Sequence, residues 1–300
     1  MKPYFILIKI FFSCAVTFSQ NYIDILKINI STTPYNTFDS SSVKTRLTEF
    51  SGDLTLPVKV NDRFSVITGL IYEDIQTKLF IDDAVKEFGS ATLKLGFNKQ
   101  LNDKWSATGV VLPKIASDYS SISNKDFQIG SIAVFKYKKL DNLNYKVGLY
   151  YNSELFGPFF VPILGIYYQS PNKKFETNAM LPLQADLNYK LNTFINAGCN
   201  FNGQIRSYHL NHVTYENPSA YVVKSTNELY AYLKFNFTNS ISLYTRAGQS
   251  FARSYRVYDE SDKVTFGLPA TFIGPKRQQL NSDFSDGMIY QVTLLYRLNL

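Results

Sequence analysis

The chain closes with MIYQVTLLYRLNL, residues Met288 to Leu300. Its even-numbered positions are all apolar and include Tyr290 and Tyr296, whereas most of the odd-numbered positions are polar. Successive side chains of a β-strand point to opposite faces, so this stretch predicts a strand between an apolar and a wet environment. A long amphipathic closing strand of this kind is typical of a bacterial outer-membrane barrel, which has lipid outside and water inside.

The beginning of the chain predicts export. Lys2 supplies a positive start, and Tyr4–Phe18 form an apolar segment too short and too interrupted to span a bilayer. Thr17 and Ser19 place small residues at the third and first positions before a cut preceding Gln20. We therefore predict a cleaved signal peptide.

The remaining composition fits one barrel domain. We predict that residues 1–19 are the signal peptide and residues 20–300 a single outer-membrane barrel. Aromatic residues make up 16% of the chain and charged residues only 18%, with a mean hydropathy of −0.13. Removing Lys2 and Lys9 from the 31 basic residues leaves 29 against 24 acidic ones, a net charge of +5. These charges are scattered, which argues against a nucleic-acid partner.

Period-two alternation recurs along the chain without an intervening helical period. Short turns follow some of these segments and longer polar loops follow others, which is the asymmetry of outer-membrane barrels. The predicted strands are 22–33, 43–60, 64–72, 91–98, 105–116, 127–137, 145–152, 163–169, 175–190, 195–206, 229–238, 241–248 and 288–300. The predicted longer loops are 34–42, 117–125, 209–224 and 257–284, with a further loop or bend at 155–160. The fold prediction is an all-β, antiparallel up-and-down transmembrane β-barrel of about 12–14 strands.

The stretch 175–190 leaves the strand number open. Its odd-numbered positions are mostly apolar and its even-numbered positions mostly polar, without a slip of parity. One strand has this pattern, and so do two short strands joined by an odd-length loop, because a two-residue hairpin would exchange the faces.

A secreted soluble β-sandwich is the alternative fold, with the apolar faces packed in a dry interior. The predicted strands are longer than the five or so residues usual in sandwiches, and their polar faces carry charges in mid-strand. We predict that these charges line a hydrated lumen, and that their excess of positive charge favours anionic solutes unless Lys and Glu pair across a packed interior. The candidate lumen residues are Lys59, Glu73, Lys94, Lys136, Arg206, Lys234, Arg246 and Arg297.

Several short motifs resemble an uncharacterised outer-membrane β-barrel family, a domain of unknown function of Bacteroidetes-type bacteria. The resemblance covers most of the mature chain. It implies a barrel in the outer membrane and no known activity, cofactor or catalytic residue. The motifs are Tyr145–Tyr150, Phe156-Gly157-Pro158, Val161–Gly165, Ser170-Pro171-Asn172, Leu181-Pro182 and Asn188–Leu191.

Candidate chemistry is sparse. His209, His212 and Glu216 form a His/carboxylate cluster, but without a helix to align the side chains we read them as ordinary loop residues and predict no metal. Glu176-Thr177-Asn178 and Asn202-Gly203-Gln204 with Arg206-Ser207-Tyr208 resemble fragments of outer-membrane phospholipases, yet no histidine base precedes Asn202-Gly203. Cys199, the one cysteine after the signal peptide, lies on the lipid face and cannot form an intrachain disulfide.

The functional prediction is an outer-membrane barrel with a passive pore, transport or structural role, without catalytic residues or cofactors. The alternatives are an outer-membrane lipid-active enzyme resembling a phospholipase and a secreted binding sandwich. Its expected partners are outer-membrane lipid, the barrel-insertion machinery during assembly and a small solute. The sequence leaves open whether the lumen is open or plugged, and which oligomeric state the protein has.

Overall fold

The computed structural model describes residues 22–39, 41–211 and 219–299. The predicted signal peptide, His212, Glu216 and Leu300 lie outside this part of the chain. Fourteen antiparallel strands form the barrel. They are β1 (Tyr22–Thr32), β2 (Thr48–Asn61), β3 (Phe64–Thr77), β4 (Lys86–Gln100), β5 (Trp105–Ser117), β6 (Phe127–Leu140), β7 (Leu143–Glu154), β8 (Gly157–Gln169), β9 (Phe175–Leu181), β10 (Gln184–Lys190), β11 (Ile195–Leu210), β12 (Ala220–Asn236), β13 (Ile241–Asp259) and β14 (Met288–Asn299).

The barrel closes by pairing its first and last strands. β1 and β14 run antiparallel from Tyr22 opposite Asn299 to Thr32 opposite Tyr290. Consecutive strands pair around the rest of the circle, so the wall has no free edge along its paired length. Closure satisfies backbone N–H and C=O groups inside the wall, which a strand in hydrocarbon requires.

Apolar side chains cover the outside of this wall. Leu164 is 68% exposed, Leu233 44% and Leu294 43%. On β2 this band reaches from Phe50 to Val60, which at roughly 3.3 Å per residue and a tilt of roughly 40° makes it about 25 Å tall. The soluble sandwich is therefore wrong, because the apolar faces turn outward instead of packing against one another.

The two ends of the barrel differ. Both described termini and six short turns lie at one end. The longer loops lie at the other end, together with the short β7–β8 turn and the β9–β10 tip. We call these the short-turn end and the loop end. Exposed aromatic side chains ring the short-turn end, as expected where a barrel meets a membrane interface. They include Trp105, Tyr145, Tyr189, Phe194, Phe237 and Tyr296.

The stretch 175–190 is two strands. Met180 pairs with Gln184, so three residues, 181–183, form the tip and parity is kept on both sides. The odd-length alternative is thus confirmed, and it brings the count to fourteen. β9 and β10 are the shortest strands of the wall, with seven residues each.

Three of the predicted loops have wrong boundaries, and the strand predicted for 43–60 begins at Thr48. Residues 157–160 are not a loop, because β8 begins at Gly157 directly after the turn at Leu155 and Phe156. The loop predicted for 209–224 is shorter, since β11 continues to Leu210 and β12 begins at Ala220. The loop predicted to begin at 257 begins after Asp259.

Four further short strands lie at the loop end. Asn36–Thr37 pairs with Lys44–Thr45, and Phe266–Leu268 pairs with Thr271–Ile273. The second of these hairpins lies beside the free edge of β8 above the β9–β10 tip, where Gly267 pairs in parallel with Phe159. In the described ranges, no helix is long and apolar enough to cross a membrane.

The outer parts of three long strands leave the wall and cross the loop end. β10 follows β11 only as far as Asn202, and β14 follows β13 only as far as Gln249. Beyond these points His209 of β11 pairs with Ser117 of β5, a strand six positions away around the barrel. We call residues 204–210, 220–228 and 251–259 the mouth segment.

A β-bulge lies where the mouth segment begins. The register of β12 and β13 shifts between Ser225 and Asn227, and Ala252 adopts a positive φ of 51°. The backbone N–H groups of Ala252 and Arg253 both donate to the Asp286 carboxylate at 2.7 Å. Bulges bend a strand and increase its twist, which accounts for the departure of these strands from the wall.

A charge on the lipid face tests the orientation of the wall. We expect Leu294→Arg to lower the free energy of unfolding by about 2–4 kcal/mol, because the guanidinium enters the middle of the hydrocarbon band. Equilibrium urea unfolding of the protein refolded in liposomes measures this difference. Asp103→Arg in an exposed short turn is the matched control and should change stability by less than about 0.5 kcal/mol. Equal stability of both variants would contradict a lipid-facing Leu294.

Candidate functional site

Most of the mouth segment is buried on both faces, whereas Phe251, Ala252 and Arg256 in its third strand are exposed. One face packs on β2–β5 and the loops above them through an apolar cluster that includes Phe88, Tyr208, Val222 and Tyr255. The other face packs on β7 and β8 and on the long loop that follows β13, through Phe159, Val161, Tyr221 and Val223. Because both faces are covered, the loop end of the lumen is filled by strands of the barrel itself.

Charged groups join the first face to the wall. The Lys224 ammonium lies 2.8 Å from Glu49 and 3.0 Å from Glu73. Glu73 also accepts hydrogen bonds from Arg206 at 2.7 Å and from the Tyr208 hydroxyl at 2.6 Å. Glu73 thus binds two cations and a phenol in a buried site. We call Glu49, Glu73, Arg206, Tyr208 and Lys224 the mouth cluster.

A second polar contact joins the opposite face to β7. The Glu154 carboxylate accepts from the backbone N–H of Ser207 at 2.7 Å and from its hydroxyl at 2.5 Å. The Ser207 hydroxyl accepts in turn from the backbone N–H of Leu155 at 2.8 Å, and Gln128 donates to the Ser207 carbonyl at 3.0 Å. These contacts attach β11 to the wall on the side away from the mouth cluster.

A third contact is a chain of three side chains at the tip of β11. His209 Nδ1 lies 2.7 Å from Asp126 and His209 Nε2 lies 2.9 Å from the Ser219 hydroxyl. Since a carboxylate only accepts, the neutral ring carries its hydrogen on Nδ1 and can accept a proton from Ser219 at Nε2. A Ser–His–Asp chain of this order is able to activate a hydroxyl as a nucleophile.

Glu260 competes for the same hydroxyl. The hydrogen bond from Lys125, and next that from Ser219, lower the pKa of Glu260 below its ordinary value. The Ser219 hydroxyl has a single hydrogen, so it cannot serve Glu260 and His209 at once.

Below the mouth segment lies a chamber of about 630 Å³ at the short-turn end. Its volume is in the range of small-molecule sites. Most of the residues that line it are polar, with amide and hydroxyl side chains between the charged ones and aliphatic side chains among them. The charged residues that line it are Asp24, Lys27, Lys136, Lys146, Asp186, Arg246 and Arg297.

The eight residues predicted to line the lumen occupy three different places. Lys136, Arg246 and Arg297 line the chamber. Glu73 and Arg206 belong to the mouth cluster instead. The remaining three make contacts elsewhere in the barrel: Lys59 pairs with Asp62, Lys94 with Asp53, and Lys234 lies over the Tyr244 ring.

Sequence reasoning missed several residues of the site. Glu49 and Lys224 were not singled out because nothing local distinguishes them from other strand charges. Asp126 and Ser219 are 83 and 10 residues from His209 in the chain, and neither has a recognisable motif. Among the described residues no group of three or more His, Cys, Asp and Glu side chains is placed to hold a metal ion. Cys199 is exposed and free.

A closed antiparallel barrel with an apolar outer band, a polar interior and a girdle of aromatic side chains at one end is typical of an outer-membrane β-barrel protein. Residues 16–291 match the family described as Domain of unknown function (DUF6268), and the chain belongs to that family. No curated protein matches the chain.

The chain is similar in structure to several solved outer-membrane barrels. The COG4313 outer membrane channel from Pseudomonas putida F1 is 9% identical, with 91% of this chain and 93% of that chain covered and a TM-score of 0.46. The toluene transporter TodX of Pseudomonas putida is 10% identical, with 93% of this chain and 90% of that chain covered and a TM-score of 0.36. The NanC porin is 10% identical, with 91% of this chain and 100% of that chain covered and a TM-score of 0.37. Likeness at this level carries no information about the solute.

The mouth cluster predicts a local response to loss of one charge. We expect Glu73→Gln to loosen the mouth segment, because it removes a charge partner of the buried Lys224 and of the partly buried Arg206, and breaking a buried ion pair costs about 3–5 kcal/mol. Hydrogen exchange followed by mass spectrometry should show amides of 204–210 and 220–224 exchanging roughly 100-fold faster.

Asp53→Asn is the matched control, since it removes a carboxylate that binds a lysine away from the mouth. It should leave exchange in the mouth segment unchanged. Unchanged exchange in Glu73→Gln would show that the apolar contacts alone hold the segment.

Proposed function

We propose that the protein is a passive channel of the bacterial outer membrane, exported with a cleaved signal peptide and closed at its loop end by the mouth segment. The chamber is the part of the pathway that stays open to the short-turn end. Solute passes when the mouth segment moves away from the wall. On this proposal outer-membrane lipid surrounds the barrel, and the barrel-insertion machinery assembles it.

The observation that carries the proposal is how the mouth segment is attached. Its three strands pair with one another, but β10 and β14 do not pair with them beyond Asn202 and Gln249. Displacing the segment therefore breaks the His209–Ser117 pairing, the backbone contacts of Val257 and Tyr258 with the loop after β13, and side-chain contacts. The fourteen-stranded wall below keeps its hydrogen bonds. A wall that survives the movement is what a reversible closure requires.

The chemistry of the contact surface supports the same conclusion. Buried ion pairs such as those of Glu73 with Arg206 and Lys224 contribute little net stability, because desolvation of both charges opposes their attraction. When the segment moves, water can solvate these charges again. A contact surface that combines apolar clusters with charges is therefore easier to open than a wholly apolar one.

A disulfide across the mouth tests the channel. Ser117→Cys with His209→Cys, in a Cys199→Ser background, places two thiols on adjacent strands, whose Cα atoms lie roughly 5 Å apart, within the range of a disulfide. In planar bilayers we expect the oxidised protein to conduct at least tenfold less than the reduced protein. Dithiothreitol should restore the current.

The single variants, which cannot form the bond, should conduct alike under both conditions. Equal currents before and after reduction of the double variant would show that the mouth segment does not block the path. Silence of every form would contradict a channel.

The Asp126–His209–Ser219 chain supports a second candidate function, ester hydrolysis at the loop end. The Ser219 oxygen would attack an ester carbonyl while His209 Nε2 takes its proton, and the proton would then go to the departing alcohol. Water would release the acyl group by the same route and return the hydroxyl of Ser219.

Covalent labelling with a fluorophosphonate tests this candidate. If the function holds, the refolded protein is labelled, Ser219→Ala is not, and Ser121→Ala in the neighbouring loop is labelled as the parent is. Glu260→Gln should be labelled faster, because it weakens the competing acceptor for the Ser219 hydrogen. If the parent protein is not labelled, Ser219 is not a nucleophile. The Asp126–His209–Ser219 hydrogen bonds then only join β11 to the start of β12 and to the loop after β5.

A further inference from the structure

The chamber carries more positive than negative charge. Five cationic side chains face two carboxylates on its wall. Asp24 is already engaged, since its oxygens lie 2.9 Å from Lys27 and 2.6 Å from Arg297. Asp186 accepts a hydrogen bond from the Tyr232 hydroxyl at 3.2 Å. Neither Asp24 nor Asp186 lies within ion-pair distance of Lys146 or Arg246.

Two of these cations lie side by side. Lys136 of β6 and Lys146 of β7 are directly opposite each other in the antiparallel register. Their strand neighbours Phe135 and Val147 point to the lipid, so both lysines point into the chamber. Like charges directly opposite on neighbouring strands destabilise the pair. A bound anion between the two ammonium groups would remove that repulsion.

A neutral hydrogen-bonding side chain binds Lys146. Lys146 donates to the Asn178 amide oxygen at 2.8 Å, a bond that leaves its charge uncompensated. The ammonium group has three hydrogens, so it can keep this bond and still donate to a ligand.

A further cation lies across the chamber. Arg246 belongs to β13, seven positions around the barrel from β6 and hence on the opposite wall. It donates to Gln291, and to Thr293 at 3.0 Å, and its guanidinium lies 4.8 Å from the centre of the Tyr244 ring. Its buried Nε has no hydrogen-bond partner. Positive charge on both walls focuses an attractive potential for anions in the space between them.

We infer that the chamber binds a small organic anion, with a carboxylate or phosphate group held between Lys136 and Lys146. This inference rests on the proposed channel function, for which it names the class of solute. The volume of about 630 Å³ accommodates a solute of several carbon atoms together with water. Because the loop end is closed, the anion enters from the short-turn end in this conformation.

Isothermal titration calorimetry on the full chain refolded in detergent tests the site with three probes at low ionic strength. Citrate supplies carboxylates, inorganic phosphate supplies a phosphate, and maltose is the neutral reference. We expect citrate or phosphate to bind and maltose not to bind. The stronger of the two anions identifies the preferred head group, and 0.5 M KCl should weaken its binding because salt screens the attraction.

The decisive variant is Lys136→Gln with Lys146→Gln, which should weaken anion binding at least tenfold. Lys104→Gln with Lys139→Gln removes the same charge from exposed positions at the short-turn end and should leave the dissociation constant within twofold of the parent. Heat modifiability on gels verifies that each variant is folded. Equal weakening by both pairs, or none by the chamber pair, would overturn the inference.

Bilayer recordings separate this inference from the proposed function. If the protein binds the anion but gives no current, the anion site is supported and the channel function is contradicted. If the protein conducts and Lys136→Gln with Lys146→Gln leaves its chloride-to-potassium selectivity unchanged, the channel function is supported and the anion site is contradicted.

Discussion

The rest of the structure depends on the closure of the sheet between β1 and β14. Hydrocarbon offers no partner to a backbone N–H or C=O group, so each strand that crosses it must be paired on both sides. Once the circle is complete, every wall strand has one face to lipid and one to the interior, which imposes period two along the chain. The exposed leucines of the outer face and the charged residues of the inner face follow from that single requirement.

The interior is under a weaker constraint than the wall. A side chain that points inward meets water or another inward side chain, so its identity can vary without loss of the barrel. This freedom accounts for a lumen divided into two parts. The loop end is packed with the mouth segment, and the short-turn end keeps a hydrated chamber lined by lysines and arginines.

The mouth segment combines two kinds of contact whose energetic consequences differ. Its apolar clusters favour the closed arrangement in proportion to the area removed from water. Its ion pairs contribute little net energy but determine the position of the segment, because a misplaced Lys224 would be a buried charge without a partner. The bulge at Ala252, held by Asp286, lets the two long strands turn inward without disturbing the wall beneath.

The sequence by itself determined the barrel and the lipid-facing side of its wall. These features follow from alternation between neighbouring residues, which is a local property of a strand at a lipid boundary. Only the tertiary structure decided that the loop end is filled. In the mouth segment both faces are buried, so Tyr221-Val222-Val223 show no alternation and read as loop. The contact of Arg206 with Glu73 joins residues 133 positions apart, and no local pattern records such a distance.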